Sequence, residues 1–522
     1  MSAKQSTYRL GVDVGGTNTD AVLIDEDLRV AAEVKLPTTA DVYGGILSAI
    51  RGVLDRSGID RERIAKAMLG TTQCTNAIVE RKRLSKIGVL RIGAPATLGI
   101  SPMVDWAEDL REIAGEVEII RGGFEYDGKE LAAFDEAAAR SFFEDCKKRG
   151  IQSVAISQLF SVVREDHEER AAAVCREVMG EGVYVSLSSK IGSMGLIERE
   201  NATILNAALY DVAHSFTEGF VNSLRDQGVS NAEVYFSQND GTLMSMELAR
   251  KYPILTIACG PTNSIRGASY LSRLSNALVI DIGGTTTDFG ILQNGFPRES
   301  GVAVTIGGVR TNFRMPDVIS IGLGGGSIVR EKNGAVTVGP DSVGYQLTEK
   351  ALVFGGDTLT ATDIAVRLGL ARVGDPAKAA GIDPGLAEKA LARIVEMVED
   401  HLDSMKTSGD AVDVVLVGGG SILLPDRVAG AKKLYKPDHF AVANAIGSAI
   451  SKVSGAYEKL VSYDEIPREK ALEAAKAEAI ALAVRAGALP DTVEIVDVED
   501  VPLQYHVGNT CRVKVKAAGE LG

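Results

Sequence analysis

The octet DVGGTNTD, Asp13 to Asp20, returns as DIGGTTTD, Asp281 to Asp288, 268 residues later and identical at six of eight positions. Each copy sits between strand-forming apolar runs, YRLGV and AVLID around the first, NALVI and FGILQ around the second. The pattern predicts strand, tight glycine turn, strand, twice. A lone copy signals no more than a β-hairpin. Two copies signal a duplicated α/β domain whose glycine turns face each other across a cleft.

The residue types fit phosphate. Gly15, Gly16, Thr17 and Asn18, and their counterparts Gly283, Gly284, Thr285 and Thr286, offer backbone N–H and hydroxyl donors with no bulky side chain in the way. Asp13 and Asp281, at the strand ends, suit a hydrated Mg²⁺, which keeps part of its water shell. One of them is also placed to orient a nucleophile. Asp20 and Asp288 follow the turns, where an aspartate commonly bonds neighbouring amides. Two opposed hairpins of this kind can clamp one nucleotide from both sides.

At 522 residues, two or three domains are expected. A formal charge of −14 argues against a nucleic-acid partner. Cys74, Cys146, Cys175, Cys259 and Cys511 form no C-x-x-C pair, which fits a reducing compartment better than disulfides or zinc. The N-terminal decapeptide lacks an apolar signal core and no run approaches membrane-span length, so the expected location is cytoplasmic, with no membrane contact. Segments such as ADVYGGILSAIRGVLDRSGID and DEAAARSFFEDCKKRGIQSVAISQ read as helix and helix–strand units of a layered α/β protein. His167, beside acidic residues, reads as a solvated helix start at least as readily as a ligand.

The twin loops, followed by VVLVGGGSILLP (Val414–Pro425), resemble the actin, sugar-kinase and heat-shock-chaperone ATPase superfamily. That resemblance implies duplicated actin-like (ribonuclease H-like) domains flanking a nucleotide cleft. It places Gly418, Gly419, Gly420 and Ser421 at the adenosine, with Gly324 and Gly325 as further cofactor-side backbone. GTTQCTNAIVERK (Gly70–Lys82), IERENATILNA (Ile197–Ala207), YFSQNDGT, CGPTNSIRGA, IGLGGGSI and TATDIAVRLG fall in the order of the hydantoinase/oxoprolinase (hydantoinase A) family, which the chain resembles over roughly residues 8–455. CGPTNS (Cys259–Ser264) departs from that family's S-G-P-A-G-G.

The family resemblance implies ATP- and Mg²⁺-dependent hydrolysis of a cyclic amide such as a hydantoin or 5-oxoproline, with a separately encoded second subunit and an oligomeric assembly. The alternatives are a ketone carboxylase subunit, an actin-like activator ATPase or a small-molecule kinase. It directs attention for the substrate to Thr71, Thr72, Thr75, Asn76, Glu80 and Arg81, and to Glu198, Arg199, Glu200 and Asn201. The expected domains are 1–200 with the first loop, 201–455 with the second loop and adenosine motif, and 456–522 as a small C-terminal α/β appendage.

Overall fold

The computed structural model describes residues 7–39, 41–300, 304–313, 315–503 and 509–522. Its organising feature is one strand order built twice. β1 (Tyr8–Val14), β2 (Asn18–Ile24) and β3 (Val30–Pro37) are antiparallel; β4 (Ile64–Thr71) and β5 (Glu233–Ser237) then add in parallel on the other side of β1. β6 (Ala277–Ile282), β7 (Thr287–Gln293), β8 (Val318–Ile321), β9 (Val412–Val417) and β10 (Ala431–Tyr435) repeat the same order and directions. This is the expected duplicated actin-like α/β fold. β1 and β6 lie centrally, so their near-continuous apolar sequence is buried on both faces.

Helices cover the sheets where their apolar stripe dictates. α1 (Val42–Ser57) starts at Asp41, whose carboxylate accepts from the Tyr43 and Gly44 amides, and stops at Gly58, which takes the left-handed conformation at φ 61°. Ile46, Ala49, Ile50, Val53 and Leu54 recur at helical spacing and are buried on the first sheet. The helix Pro384–Met405 does the same for the second sheet with Ala387, Ala390, Ile394, Val398 and Leu402.

Two further helices fill the space between the sheets. α4 (Cys259–Ser272) packs on the second sheet and α5 (Ala443–Ile450) on β1 and β2. They approach backbone to backbone: a Cβ on Gly267 would overlap the Ala443 carbonyl, and one on Gly447 the Asn263 carbonyl. Only glycine permits that approach.

Between β4 and β5 the chain inserts α2 (Gln73–Glu80), a separate four-stranded sheet, and α3 (Leu196–Ala208). The sheets do not break at the expected boundaries of 200 and 455. Glu233–Ser237 and Leu243–Ser245 belong to the first sheet, because ladder pairing, not chain order, decides which lobe a strand joins. The C-terminal α/β appendage is built as a continuation of that sheet: Val453–Ser462, Glu494–Pro502 and Thr510–Gly519 extend it to nine strands, backed by Arg468–Arg485. Lys516, 3% exposed, pairs with Asp240 at 2.9 Å and with Glu299 at 3.2 Å, tying the last strand to the edge of the second lobe. All five cysteines are free and buried. Among the described residues no helix is long and apolar enough to cross a membrane.

Candidate active site

The two glycine turns have the same internal geometry. Gly15 N–H donates to the Asn18 carbonyl at 3.0 Å, and Gly283 N–H to that of Thr286 at 2.8 Å. The turns meet tip to tip. Thr17 Oγ1 lies 2.9 Å from Thr285 Oγ1, the equivalent position in the other hairpin, so the contact follows the internal two-fold relation. Among the described residues the amides of Gly16, Thr17, Gly284 and Thr285 have no protein acceptor. A Cβ on Gly16 would meet nothing within 4 Å, whereas one on Gly284 would lie 2.5 Å from the Thr17 side chain. The donors needed for an anion are therefore present, unpaired, at one point between the lobes.

The other glycine runs shape the second turn. Gly325 N–H donates to the Gly283 carbonyl at 3.0 Å and Gly326 N–H to that of Gly284 at 2.7 Å; a Cβ on Gly324 would stand 2.6 Å from Gly284 and Thr285 backbone. Gly418, at φ 85°, leaves no room for a Cβ beside an Asp281 carboxylate oxygen, and a Cβ on Gly420 would sit 2.6 Å from the Gly283 carbonyl. Gly419 faces the Lys35 stem, and Ser421 spends its hydroxyl on the Val417 carbonyl at 2.6 Å. Gly324, Gly325, Gly418 and Gly420 thus crowd the second hairpin, while Gly419 reaches Lys35 of the first sheet.

The aspartates stand opposite one another within each hairpin: Asp13 pairs with Asp20 across β1 and β2, and Asp281 with Asp288 across β6 and β7. Like charges directly opposite are unfavourable. In the first hairpin β3 answers with Lys35, in register with Asp20 and 2.7 Å from it. In the second, the equivalent place on β8 is Ser320, which donates to Asp288 but carries no charge. The carboxyls respond accordingly. Burial pushes Asp13 up to about 6, and Asp20 and Asp281 add to the rise against the Asn263 bond and Lys35. Asp288 is pushed up to about 7, by burial and then by Asp281. Asp20 and Asp281 are also raised by burial, the first eased by Lys35 and the second by Ser264. Four carboxyls share this centre with one lysine.

Asp13 is further held by two amides: Asn263 Nδ2 donates to Oδ1 at 3.1 Å and Asn444 Nδ2 to Oδ2 at 2.9 Å. Ser264 donates to Asp281 Oδ2. Asn263 Oδ1 is buried with no partner, an orphan acceptor beside Asp13. Carboxylate oxygens with an amide acceptor suit a hydrated Mg²⁺, whose waters would satisfy that acceptor. No cluster of three or more His, Cys, Asp or Glu capable of holding a metal occurs among the described residues, so phosphate oxygens and water would complete the shell.

The residues singled out for the substrate divide into two groups. Thr71 and Thr72 flank the site: β4 runs beside β1 with Gly70 opposite Asp13, Cys259 donates to the Thr71 carbonyl at 3.3 Å, and Thr72 Oγ1 donates to the Val14 carbonyl at 3.3 Å. Asn76 lies one helical turn on, 3.5 Å from Thr72 Oγ1, and Thr75 Oγ1 is buried without a partner. Glu80 and Arg81 do not face the site. Glu80 is exposed and pairs with Lys82, while Arg81 ends α2 and spends its guanidinium on the Ile78, Val79 and Gly307 carbonyls.

Nor do the α3 residues. Glu200 takes Arg91 Nε at 2.7 Å and Ser157 Oγ at 2.6 Å; Arg199 binds Ser188 Oγ and the Gln158 carbonyl; Asn201 bridges Trp106 Nε1 and the Arg310 carbonyl; Glu198 pairs with Arg310 at 3.4 Å. For Arg199, Glu200 and Asn201 the reason is burial, since polar groups inside a protein persist where neighbours satisfy them. Arg199 and Glu200 hold the inserted sheet to α3, while Asn201 and the part-exposed Glu198 reach Arg310 outside it. Arg91→Ala, which strands Glu200 in the interior, is expected to cost about 3–5 kcal/mol, read as a lower melting temperature. His167 is likewise a core histidine, 2% exposed, accepting from Gly123 N–H and lying 3.1 Å from Glu130. Sequence reasoning missed Lys35, Asn263, Ser264 and Asn444. Only the CGPTNS departure hinted at any of them.

Two family models match the chain: the hydantoinase/oxoprolinase N-terminal region over residues 9–179 and hydantoinase/oxoprolinase over residues 199–405. Caprolactamase subunit alpha of Pseudomonas jessenii is 27% identical over 478 residues, covering 86% of this chain and 66% of that protein. Acetophenone carboxylase gamma subunit of Aromatoleum aromaticum is 26% identical over 402 residues, covering 71% and 54%. The chain therefore spans less than two thirds of the length of these curated relatives. The crystal structure of ATP-dependent caprolactamase from Pseudomonas jessenii shares the fold, with a TM-score of 0.80 at 20% identity over 99% of this chain and 88% of that one.

Proposed function

Because the chain belongs to the hydantoinase/oxoprolinase family, we propose that it uses ATP to hydrolyse a cyclic amide, a hydantoin, 5-oxoproline or related lactam, as one subunit of a larger enzyme. The observation that carries this reading is the meeting of two equivalent hairpins at Thr17 and Thr285, with Asp13 and Asp281 behind them. The similarity to caprolactamase subunit alpha supports the choice of a lactam-like ring and of a partner subunit.

In this reading the free amides of Gly16, Thr17, Gly284 and Thr285 cradle the phosphate chain from both lobes. Asp13 and Asp281 would hold the waters of Mg²⁺, which would supply neutralising charge beside the phosphates. Such chemistry depends on alignment and charge neutralisation more than on covalent help from the protein. The amide oxygen attacks the γ-phosphorus, the bond to ADP breaks, and the ring carbon becomes an activated imidate. Water then adds to that carbon, the C–N bond opens with a proton passing to nitrogen and leaves an acyl phosphate, and a second water hydrolyses this to the carboxylate and inorganic phosphate. Thr71 and Thr72, beside Asp13, border the place where the ring would sit.

The experiment is ADP release from the full chain, with and without a candidate partner subunit. Stimulation by hydantoins, 5-oxoproline or larger lactams supports the proposal. Stimulation only by a ketone with bicarbonate would replace it with carboxylation, the reading favoured by the acetophenone carboxylase similarity.

A further inference from the structure

α4 reaches both aspartates with consecutive side chains. Asn263 turns to Asp13 on the first hairpin, and Ser264 to Asp281 on the second. Successive residues of a helix point about 100° apart, so one turn of one helix can address two targets on either side of it. Both side chains are buried, Asn263 at 0% and Ser264 at 2% exposure, and neither is free to swing. The helix itself is pinned at this turn. Cys259 is bonded to Thr71 on the first sheet, and the Asn263 carbonyl lies against Gly447 of α5, where no side chain intervenes. Asn444 of α5 completes the grip on Asp13.

We infer that Asn263 and Ser264 are positioning residues that couple the two hairpins, fixing the Asp13 and Asp281 carboxylates in one mutual geometry toward a hydrated Mg²⁺. The rigid backbone between adjacent residues sets how far apart the carboxylates stand. Asn263 Oδ1, on the amide whose Nδ2 holds Asp13, is buried and unpartnered, and would be a further acceptor if a metal-bound water reached it. This inference rests on the nucleotide reading above, and it predicts an effect on the metal-dependent part of binding only.

The test is calorimetric titration of the full chain with the non-hydrolysable analogue AMP-PNP, with Mg²⁺ and with EDTA, for wild type, Asn263→Ala, Ser264→Ala, Ser264→Thr and the double alanine variant. A hydrogen bond to a charged group corresponds to about a 10- to 100-fold change. Each alanine variant is expected to weaken binding by about that factor in Mg²⁺ and to leave binding in EDTA unchanged. Ser264→Thr, which keeps the hydroxyl, is expected to bind as wild type does. The double variant is expected to lose less than the sum of the single losses, since either one already frees the pair. Equal weakening with and without Mg²⁺, or losses that simply add, would overturn the coupling while leaving the nucleotide reading intact. Should Asn263→Ala fail to fold, Ser264→Ala against Ser264→Thr decides alone. A wild-type chain that binds no AMP-PNP in either condition would instead bring down the nucleotide reading, and the coupling with it.

Discussion

Asparagine at position 13 is expected to abolish ATP turnover while leaving the protein as stable as before, or more so. Asp13 is 3% exposed and faces Asp20, with Asp281 close enough to add to the rise of its pKa. Its charge is thus a burden in the protein alone, and an asparagine retains the shape and one acceptor for the Asn263 and Asn444 amides. Removing a charge that a site concentrates for its ligand commonly stabilises a fold and costs its function. We expect ADP release to fall at least ~1000-fold, the scale of losing a principal electrostatic contact in the transition state. The melting temperature should hold or rise by a few degrees.

The same carboxyls give the wild-type protein a pH signature. Asp13, at about 6, and Asp288, at about 7, hold their protons far more tightly in the folded state than a carboxyl at 3.8. Stability from this source is full below about pH 4 and is lost as pH rises through 6 to 7, because the folded state binds the extra protons. Thermal denaturation across pH 5–8 should show this decline, and Asp288→Asn should flatten its upper part. Ser320→Lys, which copies the Lys35 arrangement onto β8, should do the same by pairing the charge.

The second large effect is structural. Alanine at Gly267 or Gly447 is expected to cost about 1–3 kcal/mol or more, since the added methyl meets a backbone carbonyl that cannot rotate away. Moving α4 from α5 also moves Asn263 and Ser264, so nucleotide binding should fall along with stability. Gly16→Ala makes the contrast. Its methyl enters open space, so the melting temperature should hold while the approach of phosphate is hindered. Paired melting and nucleotide-binding measurements on the three variants separate the two roles.

The sequence displayed the hairpins plainly because their turn chemistry is local: glycines for the bend, apolar runs for the strands, and the same octet twice. Helices such as α1 were legible for the same reason, with Asp41 and Gly58 marking its ends. What lay beyond reach depended on long-range register. Lys35 becomes the partner of Asp20 only once β2 and β3 are aligned, and Asn444 meets Asp13 across 431 residues of chain. Glu200 and Arg199 looked like cleft residues because a polar helix surface and a buried polar network read alike in one dimension. Arg91, the partner that decides the matter, is 109 residues away from Glu200. The sheet membership of Glu233–Ser237 and of the C-terminal strands was hidden for the same reason, since ladder pairing leaves no mark on chain order.

The most direct measurement is the stoichiometry of Mg²⁺–AMP-PNP binding to the intact chain, set beside that of Asp13→Asn and Asp281→Asn. Twin turns serving a single triphosphate predict one nucleotide per chain, with affinity reduced by either substitution. Two nucleotides per chain, or one whose affinity ignores one of the two aspartates, would mean that the hairpins do not act together.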